Sequence, residues 1–141
     1  MSKPTKENTL YLPIKQNYFD QIVAGTKKEE YREVKEGVTA GRYLIKQGSS
    51  YVLNPENVEE GRTYYLDEYN GGRFPFLPKP YKYLNLAVGY AKERDTALVE
   101  VVGISFEAER ILHDRNGNPF SCFWIIVYHL GEVVELKRKK Q

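Results

Sequence analysis

The hydrophobic period of the chain changes at Gly25, and this change constrains the fold more than any other sequence feature. Before the glycine, apolar residues recur at spacings of one, three and four, as they do on one face of an α-helix. These residues are Tyr18, Phe19, Ile22 and Val23. Glycine readily adopts the left-handed conformation that ends helices, and from Lys28 onward the residues favour an extended strand. The stretch from Ile14 to Val34 therefore predicts one firm helix that runs directly into a strand.

Three charged side chains fall at this change of period, in the pattern Gly25-x-Lys27-x-x-Glu30-x-Arg32. Because side chains alternate along a strand, Glu30 and Arg32 are predicted to share one face, with Lys27 in the turn before them. In one interpretation Glu30 and Arg32 form only a structural ion pair. In the other, Lys28 and Arg32 disfavour the charged form of Lys27, which then accepts a proton beside the Glu30 carboxylate. The planar donors of Arg32 would suit a phosphate or the edge of a base.

Shorter patterns predict the remaining elements. Asn17 is the expected N-cap of the helix, and Asp20 lies where an acid favours the helix start. Apolar patterns predict further strands, the last of them central in a sheet, at 10–14, 84–88 and 97–104. Short helices are expected at 42–46 and 107–113, and a turn is expected at 114–119. The strands 123–128 and 133–136 are predicted to form a hairpin around Gly131.

The helix and the charged motif together resemble the ASCH domain, a relative of the PUA-like β-barrels whose signature is a short helix leading into GxKxxExR. The chain before the motif is similar in register, with Leu12 to Lys15 as the leading strand and Tyr18 to Asp20 opening the helix. Leu86 to Ile104 also looks similar, with a Gly-Tyr turn followed by a long strand. The resemblance fails between Gly37 and Lys82, where an enlarged connection is expected.

The resemblance implies an α+β fold, a small PUA-like mixed β-barrel with one firm helix before the motif strand and one or two short helices. Residues 1–141 are predicted to form a single ASCH domain, with a loose N-terminus at 1–9 and a basic tail at 137–141. A chain of 141 residues is long enough for one such domain with its own core.

One activity implied by the resemblance is hydrolysis. Some small ASCH proteins are amidohydrolases that remove the acetyl group from acetylcytidine with a lysine, a nucleophilic threonine and a more distant glutamate. The lysine corresponds to Lys27, but the threonine position falls on Glu30, and the adjacent Thr26 is expected to point elsewhere. Chain order suggests Glu107 or Glu109 as the distant acid. Lys27 and Glu30 would be the catalytic residues of such an enzyme, including a ribonuclease in which the carboxylate activates a water or a 2′-hydroxyl.

The leading hypothesis is a binding module, because other ASCH proteins are linked to RNA. Lys27, Glu30 and Arg32 are then expected to line a charged cleft that binds RNA or a nucleotide-like ligand, and Tyr31 or Tyr90 would stack on a base. A third possibility is that the charges are structural and that the role of the protein depends on its partners. No cofactor is predicted, and two histidines with a single cysteine make a metal site unexpected.

The charge of the chain argues against binding nucleic acid through a uniformly basic surface. The formal net charge is +2, but residues 137–140 hold four of the 21 basic residues, so the remaining 17 are outnumbered by 19 acidic ones. Nucleic-acid contact is therefore expected from a local cleft or from the tail. Arg73 to Tyr83 interleaves aromatic and basic residues with prolines, and a base-stacking loop is one interpretation. A proline-stiffened loop that covers the core is the favoured one.

The cellular setting is also predicted from composition. The chain contains one cysteine, Cys122, which rules out an internal disulfide and fits a reducing cytoplasm. Cys122 lies in an apolar run, so a buried, inert thiol is expected there in preference to a nucleophile. No apolar run is long enough to span a membrane, and the start of the chain does not resemble a signal peptide.

Overall fold

The structure is a computed structural model that describes residues 3–35, 38–46, 59–65 and 77–139. About half of the connection predicted between Gly37 and Lys82 lies outside the described residues, as does the first part of the aromatic and basic loop. Within the described ranges the chain forms two helices and six strands. In chain order these are β1 (Thr9–Ile14), α1 (Gln16–Ala24), β2 (Glu29–Val34), α2 (Ala40–Tyr43), β3 (Thr63–Tyr65), β4 (Tyr83–Val88), β5 (Thr96–His113) and β6 (Pro119–Lys137).

The six strands form one sheet in the order β1-β4-β5-β6-β2, with β3 paired to β5 off this path. β1 runs parallel to β4, and β4 runs antiparallel to β5. The central place predicted for the strand at 97–104 is confirmed, because β5 lies between β4 and β6. The α+β class is confirmed as well.

The predicted barrel is wrong for the part of the chain that the structure describes. β1 and β2 lie at the two ends of the strand order, so the sheet is open. Alternation of apolar residues predicts that a segment is a strand, but it carries no information on whether two edge strands pair. The sequence therefore could not distinguish an open sheet from a closed one.

β6 runs without interruption from Pro119 to Lys137, so the hairpin predicted around Gly131 is wrong. A Cβ atom at Gly131 would lie 2.7 Å from Cγ1 of Val102 and 3.1 Å from Oε1 of Glu100, both on β5. The glycine therefore marks a close approach of two strands and not a turn. The chain reverses earlier, between β5 and β6, where the amide of Asp114 donates to the carbonyl of Asn118 at 2.9 Å.

Two local predictions differ from the structure because tertiary contacts override local preference. The helix expected at 107–113 is instead the end of β5, whose residues Ser105 to Glu107 pair with β3. Asn17 is not the N-cap of α1. The N-cap is Lys15, two residues earlier, and its side chain makes no capping hydrogen bond. Asp20 lies beyond the first turn of α1, where Gln16 Nε2 donates to its carboxylate at 3.0 Å.

The chain divides into two compact units. Unit 1 comprises Met1–Glu30, Pro80–Gly103 and Tyr128–Gln141, and unit 2 comprises Tyr31–Lys79 and Ile104–Val127. The buried apolar residues of unit 1 come mainly from β1, α1, β4 and the start of β5: Leu10, Leu12, Ile14, Phe19, Ile22, Leu84, Leu86, Ala87, Ala97 and Val99. Those of unit 2 include Val34, Tyr43, Leu44, Tyr64, Phe106, Trp124 and Ile126. In unit 2 the rings of Tyr64 and Trp124 meet edge to face at 5.8 Å.

A buried carboxylate in unit 1 binds the two residues that follow β6. Asp95 is only 5% exposed and accepts hydrogen bonds from Gln16 Nε2 at 3.0 Å, Arg138 Nη1 at 3.0 Å and the Lys139 amide at 2.9 Å. The Lys139 amide, followed by Gln16 and Arg138, holds the pKa of the Asp95 carboxyl below its usual range, although burial acts in the opposite direction. Arg138 also bridges to Asp20 at 3.3 Å. This part of the predicted basic tail is therefore paired with acids of the folded chain.

Candidate functional site

The turn between α1 and β2 is fixed by backbone hydrogen bonds around Gly25. Gly25 adopts a φ of 81°, a conformation that residues with a Cβ rarely adopt, so the predicted helix-ending glycine is confirmed. Its amide donates to the carbonyl of Ile22 at 3.1 Å. The amides of Thr26 and Lys27 both donate to the carbonyl of Gln21, at 3.0 and 3.1 Å. The backbone that carries the Lys27 side chain is thus held against the end of the helix.

The start of β2 is attached to β6. The amide of Leu130 donates to the carbonyl of Lys28 at 2.8 Å. One residue further on, the Glu29 carboxylate lies 3.5 Å from Nδ1 of His129. Because both ends of the turn are anchored, the residues between them have a defined position in unit 1.

Lys27 and Glu30 lie close together, as the motif predicts. Nζ of Lys27 is 4.0 Å from Oε1 of Glu30, and the two side chains are 18% and 7% exposed. Burying a carboxylate is unfavourable unless donors or a cation compensate it, so the lysine contributes to keeping Glu30 in this position. The Tyr18 ring of α1 lies 5.3 Å from Lys27 Nζ, within the range of a cation–π contact.

Burial along β2 alternates as expected for a strand. Glu30 is buried, Arg32 is half-buried and Val34 is buried, whereas Tyr31 and Glu33 are exposed. Glu30 and Arg32 therefore share one face of β2, which confirms the predicted alternation. Lys27 and Glu30 belong to unit 1, and Arg32 belongs to unit 2.

The two tyrosines predicted to stack on a base are both exposed. The Tyr31 side chain is 42% exposed on the face of β2 opposite Glu30 and Arg32. Tyr90 follows β4 in a turn and is 87% exposed. A ring that is so exposed is not packed against other side chains, so Tyr90 does not form the wall of a cleft.

The side chains considered for hydrolysis have other positions. Thr26 is exposed, and its hydroxyl donates to the Gln21 carbonyl at 3.2 Å, so the hydroxyl supports the turn. Glu107 and Glu109 both lie on the second half of β5, in unit 2, where Glu107 is paired in register with Thr63. The structure thus brings Lys27 and Glu30 together, but it does not supply Thr26 as a nucleophile.

Tyr18 is a neighbour of the charged pair that the sequence did not assign to it. The helical spacing predicts Tyr18 as part of the buried stripe, yet its side chain is 42% exposed, and the buried residues of α1 are Phe19 and Ile22. Tyrosine combines an apolar ring with a polar end, so it tolerates the edge of a stripe. The sequence did contain a signal for this contact. The helix ends at Gly25 and the chain turns back toward α1, so Lys27 can reach a residue of the helix such as Tyr18, nine positions earlier.

Two of the concavities formed by the described residues are lined by other side chains. One, of about 790 Å³, lies in unit 1 and includes Tyr11, Asn85, Leu98 and Lys137 in its lining. The other, of about 540 Å³, lies in unit 2 and includes Glu109 in its lining. Neither of these two concavities is lined by Lys27 or Glu30.

Cys122 is half-buried on β6. Burial raises the pKa of its thiol to about 11, reinforced by the charge of Glu60 and opposed by a hydrogen bond from the backbone of Arg110. The thiolate is the reactive form, so a raised pKa favours the inert thiol predicted from sequence, although the side chain is half-buried and not buried as expected. Among the described residues, no group of three or more His, Cys, Asp and Glu side chains is placed to hold a metal ion. The described helices include none long and apolar enough to cross a membrane.

Comparisons of the chain with protein-family models, with curated proteins and with solved structures give no match. The motif from Gly25 to Arg32 and the geometry around it therefore carry the functional proposal alone.

Proposed function

We propose that the protein is a binding module for RNA or a nucleotide-like ligand, with Lys27 and Glu30 as its polar contacts and an ASCH-like, PUA-related origin for the fold. The observation that carries this proposal is the pairing of Lys27 with the nearly buried Glu30 at 4.0 Å, on a turn anchored at both ends. An ammonium beside a carboxylate presents a donor and an acceptor at neighbouring points. The edge of a nucleobase offers the complementary pair.

The contacts can be assigned from this chemistry. The Glu30 carboxylate would accept a hydrogen bond from an exocyclic amino group, as acidic side chains do with cytosine. Lys27 would donate to a neighbouring carbonyl or phosphate oxygen. The exposed ring of Tyr18, 5.3 Å from the lysine, is better placed than Tyr90 to stack on the base.

A hydrolase is the second candidate, and the same pair favours it. A lysine and a carboxylate 4.0 Å apart could transfer a proton to or from an acylated nucleoside or a ribose hydroxyl. The threonine nucleophile of the ASCH amidohydrolases has no counterpart, because Glu30 occupies its position and the Thr26 hydroxyl donates to Gln21. The enzyme would therefore need to activate water directly.

One experiment separates the two candidates. The purified protein is titrated by calorimetry with cytidine monophosphate, acetylcytidine and a short RNA, and each mixture is also followed by mass spectrometry for product. Saturable binding without product, weakened about 10-fold or more by Lys27→Ala and by Glu30→Gln, supports the binding module. Product formation that both variants abolish supports the hydrolase.

Lys28→Ala is the matched control for Lys27→Ala. Lys28 is exposed, and it contributes to the turn through its backbone carbonyl, which the substitution retains. Equal effects of Lys28→Ala and Lys27→Ala would indicate that general positive charge is responsible. Thermal unfolding of each variant is measured in parallel. If the wild type binds none of these ligands and the variants only unfold at lower temperature, the charged residues have a structural role alone, as an ion pair.

A further inference from the structure

The sheet of unit 1 exposes an unusual set of side chains on one face. Tyr11 on β1 lies in register with Asn85 on β4, and Asn85 lies in register with Leu98 on β5. Residues in register point to the same side of a sheet, so these three side chains form a row across three neighbouring strands. Tyr11 is 45% exposed, Asn85 is exposed and Leu98 is half-buried.

This row lies in a recess and not on a flat surface. Tyr83 and Ala87 on β4 have the same side-chain direction as Asn85, yet both are buried. The face is therefore covered on both sides of Asn85 and open at Asn85 itself. The opening is a concavity of about 790 Å³, large enough for a nucleotide.

Basic side chains dominate the charge at this recess. Lys6 and Lys137 are part of its lining, together with one acid, Glu135. The guanidinium of Arg94 lies 5.9 Å from the centre of the Tyr11 ring. The recess thus carries local positive charge, although the chain without its last basic residues is slightly acidic.

The lysine from the N-terminal segment has a defined place. The Thr5 amide donates to Oδ1 of Asn8 at 2.7 Å, and the Asn8 amide donates to the Thr5 hydroxyl oxygen at 3.2 Å. The amide of Lys82 donates to the Asn8 carbonyl at 2.7 Å, which joins this turn to the start of β4. Lys6 lies inside the turn and is held at the edge of the recess.

We propose that this recess is a second ligand site, which binds a single-stranded polynucleotide. An exposed aromatic ring offers a stacking surface to any base, and flanking cations follow the phosphates on either side. Tyr11 would stack on one base, and the Asn85 amide, with both a donor and an acceptor, would contact its edge. Lys6, Lys137 and Arg94 would contact the phosphates.

This site is independent of the proposed function, because none of its residues belongs to the Lys27 and Glu30 site. Charge complementarity indicates the occupant. A recess with three cations and one acid favours a polyanion over an uncharged or basic protein surface. The aromatic and amide groups at its centre favour bases over a purely anionic lipid surface.

The test is fluorescence anisotropy with labelled ten-nucleotide oligouridylate and oligothymidylate, and with a duplex of the same length. The wild type is expected to bind both single strands more tightly than the duplex, and the comparison of RNA with DNA identifies the preferred sugar. Tyr11→Leu is expected to weaken binding about 10-fold while it keeps an apolar side chain on β1. Lys6→Ala and Lys137→Ala are each expected to lower the slope of log affinity against log salt by about 0.7.

Three controls make the assignment specific. Phe123→Ala removes another exposed aromatic ring, Lys92→Ala removes an exposed lysine outside the recess, and both are expected to leave binding unchanged. Binding is also measured in a Lys27→Ala background, which removes the other proposed site: Tyr11→Leu is expected to weaken oligonucleotide binding about 10-fold there as well, and no further loss in the double variant would assign the binding to the Lys27 site instead. Asn85→Ala provides a second variant at the recess if Tyr11→Leu unfolds.

Several results would overturn the proposal. They are the absence of single-strand binding by the wild type, equal affinity for duplex, and unchanged affinity in folded Tyr11→Leu and Asn85→Ala variants. Self-association that Tyr11→Leu abolishes in size-exclusion chromatography, without oligonucleotide binding, would identify a second copy of the chain as the occupant instead.

Discussion

Gly131→Ala is the substitution that most clearly separates a continuous β6 from a hairpin. In a hairpin connection, this position would face solvent and an added methyl group would have little effect. In the structure, the new Cβ would lie 2.7 Å from Cγ1 of Val102, 3.1 Å from Oε1 of Glu100 and 3.3 Å from Cβ of Glu100. The methyl group therefore cannot be accommodated without movement of at least one neighbour.

The cost follows from what must move. Val102 is β-branched, and forcing its side chain off the preferred rotamer costs about 0.5–1.5 kcal/mol. Oε1 of Glu100 accepts a hydrogen bond from the Glu132 amide at 3.0 Å, and displacing it removes about 1 kcal/mol. Replacing glycine also restricts the unfolded chain, which raises the free energy of unfolding by about 0.4–1 kcal/mol. We expect Gly131→Ala to lower the free energy of unfolding by about 1 kcal/mol.

Gly103→Ala is the matched control, because Gly103 lies on the neighbouring strand. Its nearest neighbour would be Cβ of His129 at 3.6 Å, an ordinary contact, so this variant is expected to gain up to about 1 kcal/mol. Urea unfolding followed by tryptophan fluorescence measures both variants, and the predicted gap between them is about 2 kcal/mol. Equal stabilities, or a more stable Gly131→Ala variant, would refute the continuous strand and the close approach.

Three further predictions concern stability and reactivity. Asp95→Asn should lower the free energy of unfolding at neutral pH, because the pKa of this carboxyl is lowered in the folded state. The contribution of the carboxylate to stability is present above its unfolded pKa of about 4, and it is lost as the pH falls through the folded pKa. Urea unfolding of both proteins at pH 7 and pH 3 checks this, and a gap that widens in acid would contradict it. Gly25→Ala should destabilise by about 1 kcal/mol because φ is 81°, measured by thermal unfolding; an unchanged midpoint would argue against the left-handed turn. Cys122, with a thiol pKa of about 11, should react with a disulfide reagent at pH 7.5 far more slowly than free cysteine, and a rate equal to that of free cysteine would show an accessible thiolate.

The sequence predicted best where a short-range signal decides the structure. The helix before Gly25, its left-handed end and the shared face of Glu30 and Arg32 follow from local period and from the freedom of glycine. The closeness of Lys27 to Glu30 follows from the same spacing, because a residue in a turn lies near the strand that it leads into.

The sequence failed where partners distant in the chain decide the structure. Gly131 has the composition of a turn residue, but its role is set by Val102, almost thirty residues earlier. Ser105 to Glu107 were expected to precede or enter a helix, but pairing with β3 extends β5 through them. Tyr18 was assigned to the buried stripe because the pattern does not show where the stripe ends, and the row of Tyr11 with Asn85 depends on strand register, which is not local.

The most direct test of the central claim is a nuclear magnetic resonance titration of the isotopically labelled protein with cytidine monophosphate. If Lys27 and Glu30 form the ligand site, the largest shifts will occur in the amides of Gly25 to Arg32 and in the Tyr18 ring, and Lys27→Ala will abolish them while Lys28→Ala will not. Shifts that are absent from this segment, or that survive Lys27→Ala, would contradict the account.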